Sequence, residues 1–190
     1  MKILVLDNYD SFTYNLVHLL EKVCDYEIDV FQNDKIELQK INEYDKILLS
    51  PGHGLPEKAG ILMEVITTYA SSKNILGVCL GMQAIGESFG ARLKNLDKVY
   101  HGLATPIQLV GNDVLFKDCP AAFKAGRYHS WVVDKEGLPD CFEITAVDEE
   151  GSIMAMKHKM HNIKGVQFHP ESILSEYGEQ IICNWVLNNH

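Results

Sequence analysis

The chain has 190 residues, enough to build a full hydrophobic core without disulfide or metal, and its 46% hydrophobic and 23% charged residues are ordinary for a globular protein. A formal net charge of −9 would repel a nucleic-acid backbone or an anionic membrane, which leaves a small molecule or another protein as the expected partner. Five scattered cysteines (24, 79, 119, 141 and 183) without a C-x-x-C pair fit a reducing compartment rather than a disulfide framework or a zinc site. No apolar stretch approaches the length of a membrane span, and the N-terminal one stops at Asp7, so the expected location is the cytoplasm.

Lys2 to Leu6 reads as a strand buried on both faces of a parallel sheet. Asp10 or Ser11 can cap a helix carrying Phe12, Leu16, Leu19, Leu20 and Val23 at helical spacing. Tyr26 to Phe31 and Asp45 to Leu49 are the next strands, and Pro51-Gly52-His53-Gly54 breaks the chain directly after the third. A helix from Ile61 to Ala70, a strand from Ile75 to Cys79 and a helix over Gln83 to Phe89 complete an alternating half, which implies right-handed crossovers and a doubly wound sheet. Ligands of such sheets bind beyond the carboxyl ends of the strands, where both the Pro51 to Gly54 loop and Cys79 lie.

From Ala91 short extended runs alternate with turns: Leu93 to Tyr100, Thr105 to Val110, Tyr128 to Val133, Phe142 to Val147, Ser152 to Lys157 and Lys164 to His169. Antiparallel pairing is expected there. Met154 and Met156 read as core strand residues, and His158 and His161 as solvated residues of a hairpin turn rather than metal ligands. A last helix should carry Ile173, Tyr177, Ile181, Ile182 and Trp185 on one face. No repeat, low-complexity segment or linker interrupts residues 1–190, so one domain is expected, an α/β/α sandwich with a mainly parallel sheet and an antiparallel portion in its C-terminal half.

Gly77-Val78-Cys79-Leu80-Gly81 has the spacing G-x-C-x-G, the cysteine version of a nucleophile elbow. Glycines on both sides permit a strained strand-to-helix turn that lifts one side chain above the sheet and aims backbone N–H groups at it, favouring negative charge there. A small buried cysteine at a strand end is the alternative that the elbow alone leaves open, and it is the reading for Cys24, Cys119, Cys141 and Cys183. A thiol nucleophile needs a base, and the base an orienting group. In Val166-Gln167-Phe168-His169-Pro170-Glu171-Ser172, His169 and Glu171 stand two apart, so in an extended segment they project together, and a triad of Cys79, His169 and Glu171 follows.

Taken with Ser50-Pro51-Gly52-His53-Gly54, these motifs resemble the class I glutamine amidotransferases, whose triad is Cys, His and Glu, and the resemblance spans nearly the whole chain. Asp7 to Asn15, Arg127-Tyr128-His129-Ser130-Trp131 and His169 to Ser175 look like the glutaminase subunits paired with chorismate-using synthases, those of anthranilate and of aminodeoxychorismate. The resemblance implies a flavodoxin-like fold, L-glutamine as substrate, and delivery of ammonia to a large chorismate-binding subunit, with anthranilate synthesis first and aminodeoxychorismate synthesis, or service to both, as the alternative. It implies no cofactor and no metal in this chain, Mg²⁺ being expected on the partner. It places the oxyanion hole at the backbone of Gly52 and Leu80, and substrate contacts at Gly52, His53, Gly54, Gln83, Ser130 and Trp131, with His129 adjacent. Gln83 lies one helical turn from Cys79 and can face the same cleft. Three positions depart from the family's usual residues: His53 stands for a common proline, Met82 for a frequent histidine and Trp131 for a common leucine.

Two other classes stay open on the residues. A flavodoxin-like binding module would want a phosphate loop after the first strand, where Asn8-Tyr9-Asp10-Ser11-Phe12-Thr13 puts a carboxylate in the way. A free-standing cysteine hydrolase of related architecture would be active without a partner.

Overall fold

The computed structural model describes residues 1–188. The alternating half folds as β1 (Lys2–Asn8), α1 (Thr13–Val23), β2 (Glu27–Gln32), β3 (Lys46–Gly52), α2 (Leu62–Tyr69), β4 (Asn74–Val78) and α3 (Leu80–Ser88). There follow β5 (Leu93–Asn95), β6 (Leu103–Leu109), β7 (Ala122–Arg127), β8 (Trp131–Val133), β9 (Phe142–Asp148), β10 (Ile153–His158), β11 (Ile163–Val166) and α4 (Gly178–Leu187).

Nine strands form one sheet in the order β2-β1-β3-β4-β11-β10-β9-β6-β7, and β5 pairs with β8 in a small antiparallel sheet. The pairs from β2 through β4 are parallel. Expected antiparallel pairing holds for β6 to β10 but needs correction for β11, which is antiparallel to β10 and parallel to β4, with Val166 opposite Val78. The last strand thus extends the parallel half and couples it to the antiparallel one. β7 has no counterpart among the expected strands: Ala122-Phe123-Lys124-Ala125-Gly126-Arg127 buries Phe123, Ala125, Gly126 and Arg127, a pattern in which a buried arginine masks the strand.

Period-two alternation divides the core between the two faces of the sheet. Ile3, Val5, Leu48, Leu76 and Val78 pack with Leu16 and Leu20 of α1 and Ile181, Ile182 and Trp185 of α4. Leu4, Leu6, Ile47, Leu49 and Ile75 pack with Leu62, Val65 and Ile66 of α2 and Met82 and Ile85 of α3. The three-layer reading is therefore realised. Met154 and Met156 are both fully buried, but a register shift between Ala155 and Met156 sends them to opposite faces.

Several local expectations are corrected. Helix α1 starts at Thr13 behind Phe12, which makes no side-chain cap; Asp10 instead accepts from the Phe12 N–H at 2.8 Å as a turn-forming residue. Ile173 precedes α4 and is 99% exposed, and Tyr177 sits in the left-handed region as the residue before the helix, so neither lies on its buried face. His158 is buried rather than solvated: its ring stacks on His161 at 4.4 Å, and its Nδ1 accepts from the N–H groups of Met160 and His161. Among the described residues no group of His, Cys, Asp and Glu could hold a metal ion, and no helix is long and apolar enough to cross a membrane.

Candidate active site

The site begins at the junction of β4 and α3. Cys79 has φ 52° and ψ −104°, a conformation rare for a residue with a side chain, and its N–H donates to Val166 O at 2.8 Å. The glycines make the sharp junction sterically possible. A Cβ on Gly77 would lie 2.5 Å from the Gly81 carbonyl carbon, and one on Gly81 would lie 2.5 Å from Leu49 O. Strand and helix therefore touch backbone to backbone, holding Cys79, 5% exposed, at the carboxyl end of the sheet.

β11, paired with β4, brings His169 to the same end of the sheet. The strand ends at Val166, earlier than the expected His169, and the chain turns away before His169. The His169 N–H donates to Gly126 O at 3.0 Å, while its carbonyl accepts from Ser175 Oγ and the Ser172 N–H. His169 Nδ1 and Glu171 Oε1 are 2.7 Å apart, with both side chains at most 3% exposed. The expected side-by-side projection occurs through this turn. Burial disfavours the charged ring, but the interactions with Cys79 and Glu171 outweigh it and raise the His169 pKa to about 10. Phe12 and Tyr128 wall the ring, with centroids 5.5 and 4.8 Å away.

A cleft of about 190 Å³ opens beside the sulfur, lined by Gly52, His53, Gly54, Cys79, Gln83, Tyr128, His129, Ser130 and Trp131. All six residues expected to contact substrate border it together with Cys79. Leu80, His169 and Glu171 lie outside its lining, Leu80 as the first residue of α3. Glycine is required at 52 by the protein itself. A Cβ there would lie 2.6 Å from Asn8 Cβ and 2.7 Å from Leu80 Cδ2, so the space is already filled by protein. Asn8 anchors that loop by donating its Nδ2–H to Ser50 O at 2.8 Å and its N–H to Ser50 Oγ at 2.8 Å. Gly54, at φ 78°, adopts the left-handed conformation that favours glycine, with open space around its Cβ position.

The opposite wall is held from behind. Trp131 O accepts from Gln83 Nε2 at 2.8 Å and faces His129 Nδ1 at 3.1 Å, while Ser130 O accepts from the Leu96 N–H at 2.7 Å. Their carbonyls are thus engaged inside the protein. Burial and then the neighbouring Arg127 charge push the His129 pKa down to about 3, so its ring is neutral. Arg127 is itself fully enclosed: it pairs with Asp148 at 2.9 Å and lies 3.5 Å from the centroid of Tyr100. Asn8, Tyr128 and Gln167 fall inside the motif stretches, yet nothing in the sequence alone gives them a role, and Arg127 gives no sign there that it is buried. A larger cleft of about 640 Å³, between Asn112 and Lys164, lies at the opposite ends of the strands from Cys79 and takes no part in this constellation.

Residues 4–189 match the family model described as glutamine amidotransferase class-I. The chain is 44% identical over 186 residues to a Haemophilus influenzae protein provisionally named anthranilate synthase component II, covering 98% of this chain and 96% of that one. It is also 44% identical over 188 residues to aminodeoxychorismate synthase component 2 of Escherichia coli, covering 97% of this chain and 98% of the relative. The crystal structure of a Thermoplasma acidophilum protein, provisionally named as one of the subunits of a GMP synthase, superposes with a TM-score of 0.87 at 25% identity, covering 98% of this chain and 92% of the other.

Proposed function

This chain belongs to the class I glutamine amidotransferase family, and from that premise we propose that it hydrolyses L-glutamine and delivers the ammonia to a chorismate-using synthase partner, with anthranilate synthesis as the first reading and aminodeoxychorismate synthesis as the second. The observation that carries the reading is the strained Cys79 corner with a buried His169–Glu171 pair beside it at 2.7 Å, opening on one small polar cleft.

The chemistry follows from these groups. The Cys79 sulfur attacks the side-chain amide carbon, forming an S–C bond and an oxyanion that the Gly52 and Leu80 N–H groups receive. The protonated His169 ring, steadied by Glu171, gives its proton to the departing nitrogen as the C–N bond breaks, leaving a γ-glutamyl thioester and ammonia. His169 then takes a proton from water, whose oxygen displaces the sulfur and releases glutamate. Gln83, Ser130, Trp131 and the His53–Gly54 loop hold the substrate's far end. No step calls for a cofactor in this chain; Mg²⁺ belongs with the chorismate-binding partner.

Support for a protein partner comes from the surface around that end of the sheet. Tyr9, Tyr14 and Ile173 are 50%, 59% and 99% exposed, the first two after β1 and the third after Glu171. Free ammonia would protonate in water, so delivery requires docking. The test mixes the chain with the large subunit of each synthase from the same cell, with glutamine, chorismate and Mg²⁺, beside a Cys79→Ala control. Glutamine-dependent anthranilate that disappears in the control supports the first reading; aminodeoxychorismate moves the chain to the second. No glutamine-dependent product with either partner refutes both, and full glutaminase activity of the chain alone refutes the partner requirement.

A further inference from the structure

Behind the cleft a hydrogen-bonded series of buried side chains runs from an ion pair to the sulfur. Arg127 Nη1 pairs with Asp148 Oδ2 at 2.9 Å, and Arg127 Nε donates to His129 Nε2 at 3.1 Å. His129 Nδ1 stands 3.1 Å from Trp131 O, which also accepts from Gln83 Nε2 at 2.8 Å. Gln83 Nε2 reaches Gln167 Oε1 at 3.2 Å, and Gln167 Nε2 reaches Cys79 Sγ at 3.5 Å. Gln83, Arg127, His129, Asp148 and Gln167 are each less than 10% exposed.

The series has a direction, and chemistry sets it. A guanidinium can only donate, so His129 Nε2 must accept and Nδ1 must carry the ring proton. That proton goes to Trp131 O, which can only accept. Gln83 must therefore turn its NH₂ to the same carbonyl and to Gln167, whose oxygen answers it. The amide of Gln167 is left with its NH₂ facing sulfur, although either flip would fit the space alone. An N–H donated to a thiolate is a charge-assisted hydrogen bond, whereas a carbonyl oxygen there would repel it.

Building on the reading of Cys79 as the nucleophile, we propose that Gln167 is a further residue of the reacting centre, holding the Cys79 thiolate by an N–H donated to Sγ, with its amide oriented from Trp131 O through Gln83, and that His129 and Arg127 are positioning residues that hold the Trp131 carbonyl in place. The same arrangement commits Gln83 to Trp131 O and Gln167 before substrate arrives. Both contacts use its Nε2, which leaves the Gln83 Oε1 as the atom that can accept from glutamine.

The probe is iodoacetamide, which forms an S–C bond and expels iodide, applied to the whole chain from pH 5 to 10 with each cysteine followed by peptide mass spectrometry. Wild-type Cys79 is expected to react fastest at neutral pH. Gln167→Met, which keeps the side-chain volume and removes the donor, should react about tenfold more slowly at pH 7 while reaching the same alkaline plateau, so that its profile moves to higher pH. Arg127→Met should move it the same way by less. With the synthase partner, Gln167→Met should lower kcat about tenfold and leave KM within about threefold. A superimposable profile overturns the proposal. So does a profile lowered equally at every pH, the mark of a displaced sulfur and a merely structural side chain. Wild-type Cys79 reacting no faster than Cys24, Cys119, Cys141 or Cys183 sinks the nucleophile reading and this proposal with it. Wild-type protein with ¹⁵N-labelled glutamine gives a measurement independent of how the variants fold: the Gln167 side-chain amide should shift on alkylation of Cys79, and an unmoved resonance overturns the donor role.

Discussion

Arg127→Met tests whether the charge under the cleft wall is held as described. Arg127 and Asp148 have side-chain exposures of 1% and 3% at 2.9 Å. Asp148 cannot follow a lost partner into solvent, because its Oδ1 accepts from the N–H groups of Glu150 at 3.1 Å and Ser152 at 2.8 Å. Removing the guanidinium thus leaves a carboxylate enclosed without a counter-charge, a defect that costs about 3–5 kcal/mol. Against a total stability of about 5–15 kcal/mol, the urea midpoint should fall by on the order of 2 M. Adding Asp148→Asn removes the stranded charge and keeps an acceptor for the turn, so the double variant should recover at least half of the loss. Equilibrium urea unfolding of the four proteins completes the cycle. A loss below about 1 kcal/mol for Arg127→Met, or a double variant as unstable as the two single losses combined, refutes the reasoning.

Three further outcomes follow from other parts of the molecule. Gly77→Ala drives a Cβ to 2.5 Å from the Gly81 carbonyl carbon and 2.6 Å from Met82 N, forcing strand from helix; a loss of about 3 kcal/mol, read as a Tm lower by roughly 10 °C, is expected, and an unchanged Tm would contradict the packing. His169, with its pKa raised to about 10, contributes stability that is fully present below its unfolded value near about 6.5 and is lost as pH climbs towards 10. Urea titrations across that window should show a shallower decline for Glu171→Gln, and equal slopes would argue against the pair. Ile173→Glu, at a site 99% exposed, should leave stability within about 0.5 kcal/mol yet weaken binding of the synthase partner at least tenfold in calorimetry; unchanged affinity would remove Ile173 from the interface.

The parallel half was legible because its strands and helices carry clean periodicities, Ile3 and Val5 to one face and Leu4 and Leu6 to the other. Cys79, His169 and Glu171 were legible because a glycine-flanked corner and a two-residue spacing encode their geometry locally. What escaped reading depends on contacts between distant segments. Lys164 to Val166 looks like any short strand, and only packing decides that it lies parallel to β4. β7 hides behind Arg127, a charge that sequence reasoning places in water and the fold encloses with Asp148 and Tyr100. The constraint on Gly52 is of the same kind, since Asn8 arrives from another strand to fill the space beside it. His158 departs from the solvated turn its sequence suggests for a similar reason: it lies against Phe89, whose ring centroid is 4.8 Å away and whose position no local pattern reveals.

The pairing of β4 with β11 also sets a schedule. Cys79 is bonded through its N–H to Val166 O, and the amide at its sulfur belongs to Gln167, 88 residues later in the chain. A ribosome reaches Cys79 long before the residues that complete its surroundings, and the intervening antiparallel strands must be laid down before β11 can slot between β4 and β10. Nascent chains therefore carry Cys79 before His169 and Glu171 exist to stand beside it. On the proposed function, a chain hydrolyses glutamine only once the sheet is closed and its synthesis has run almost to its finish.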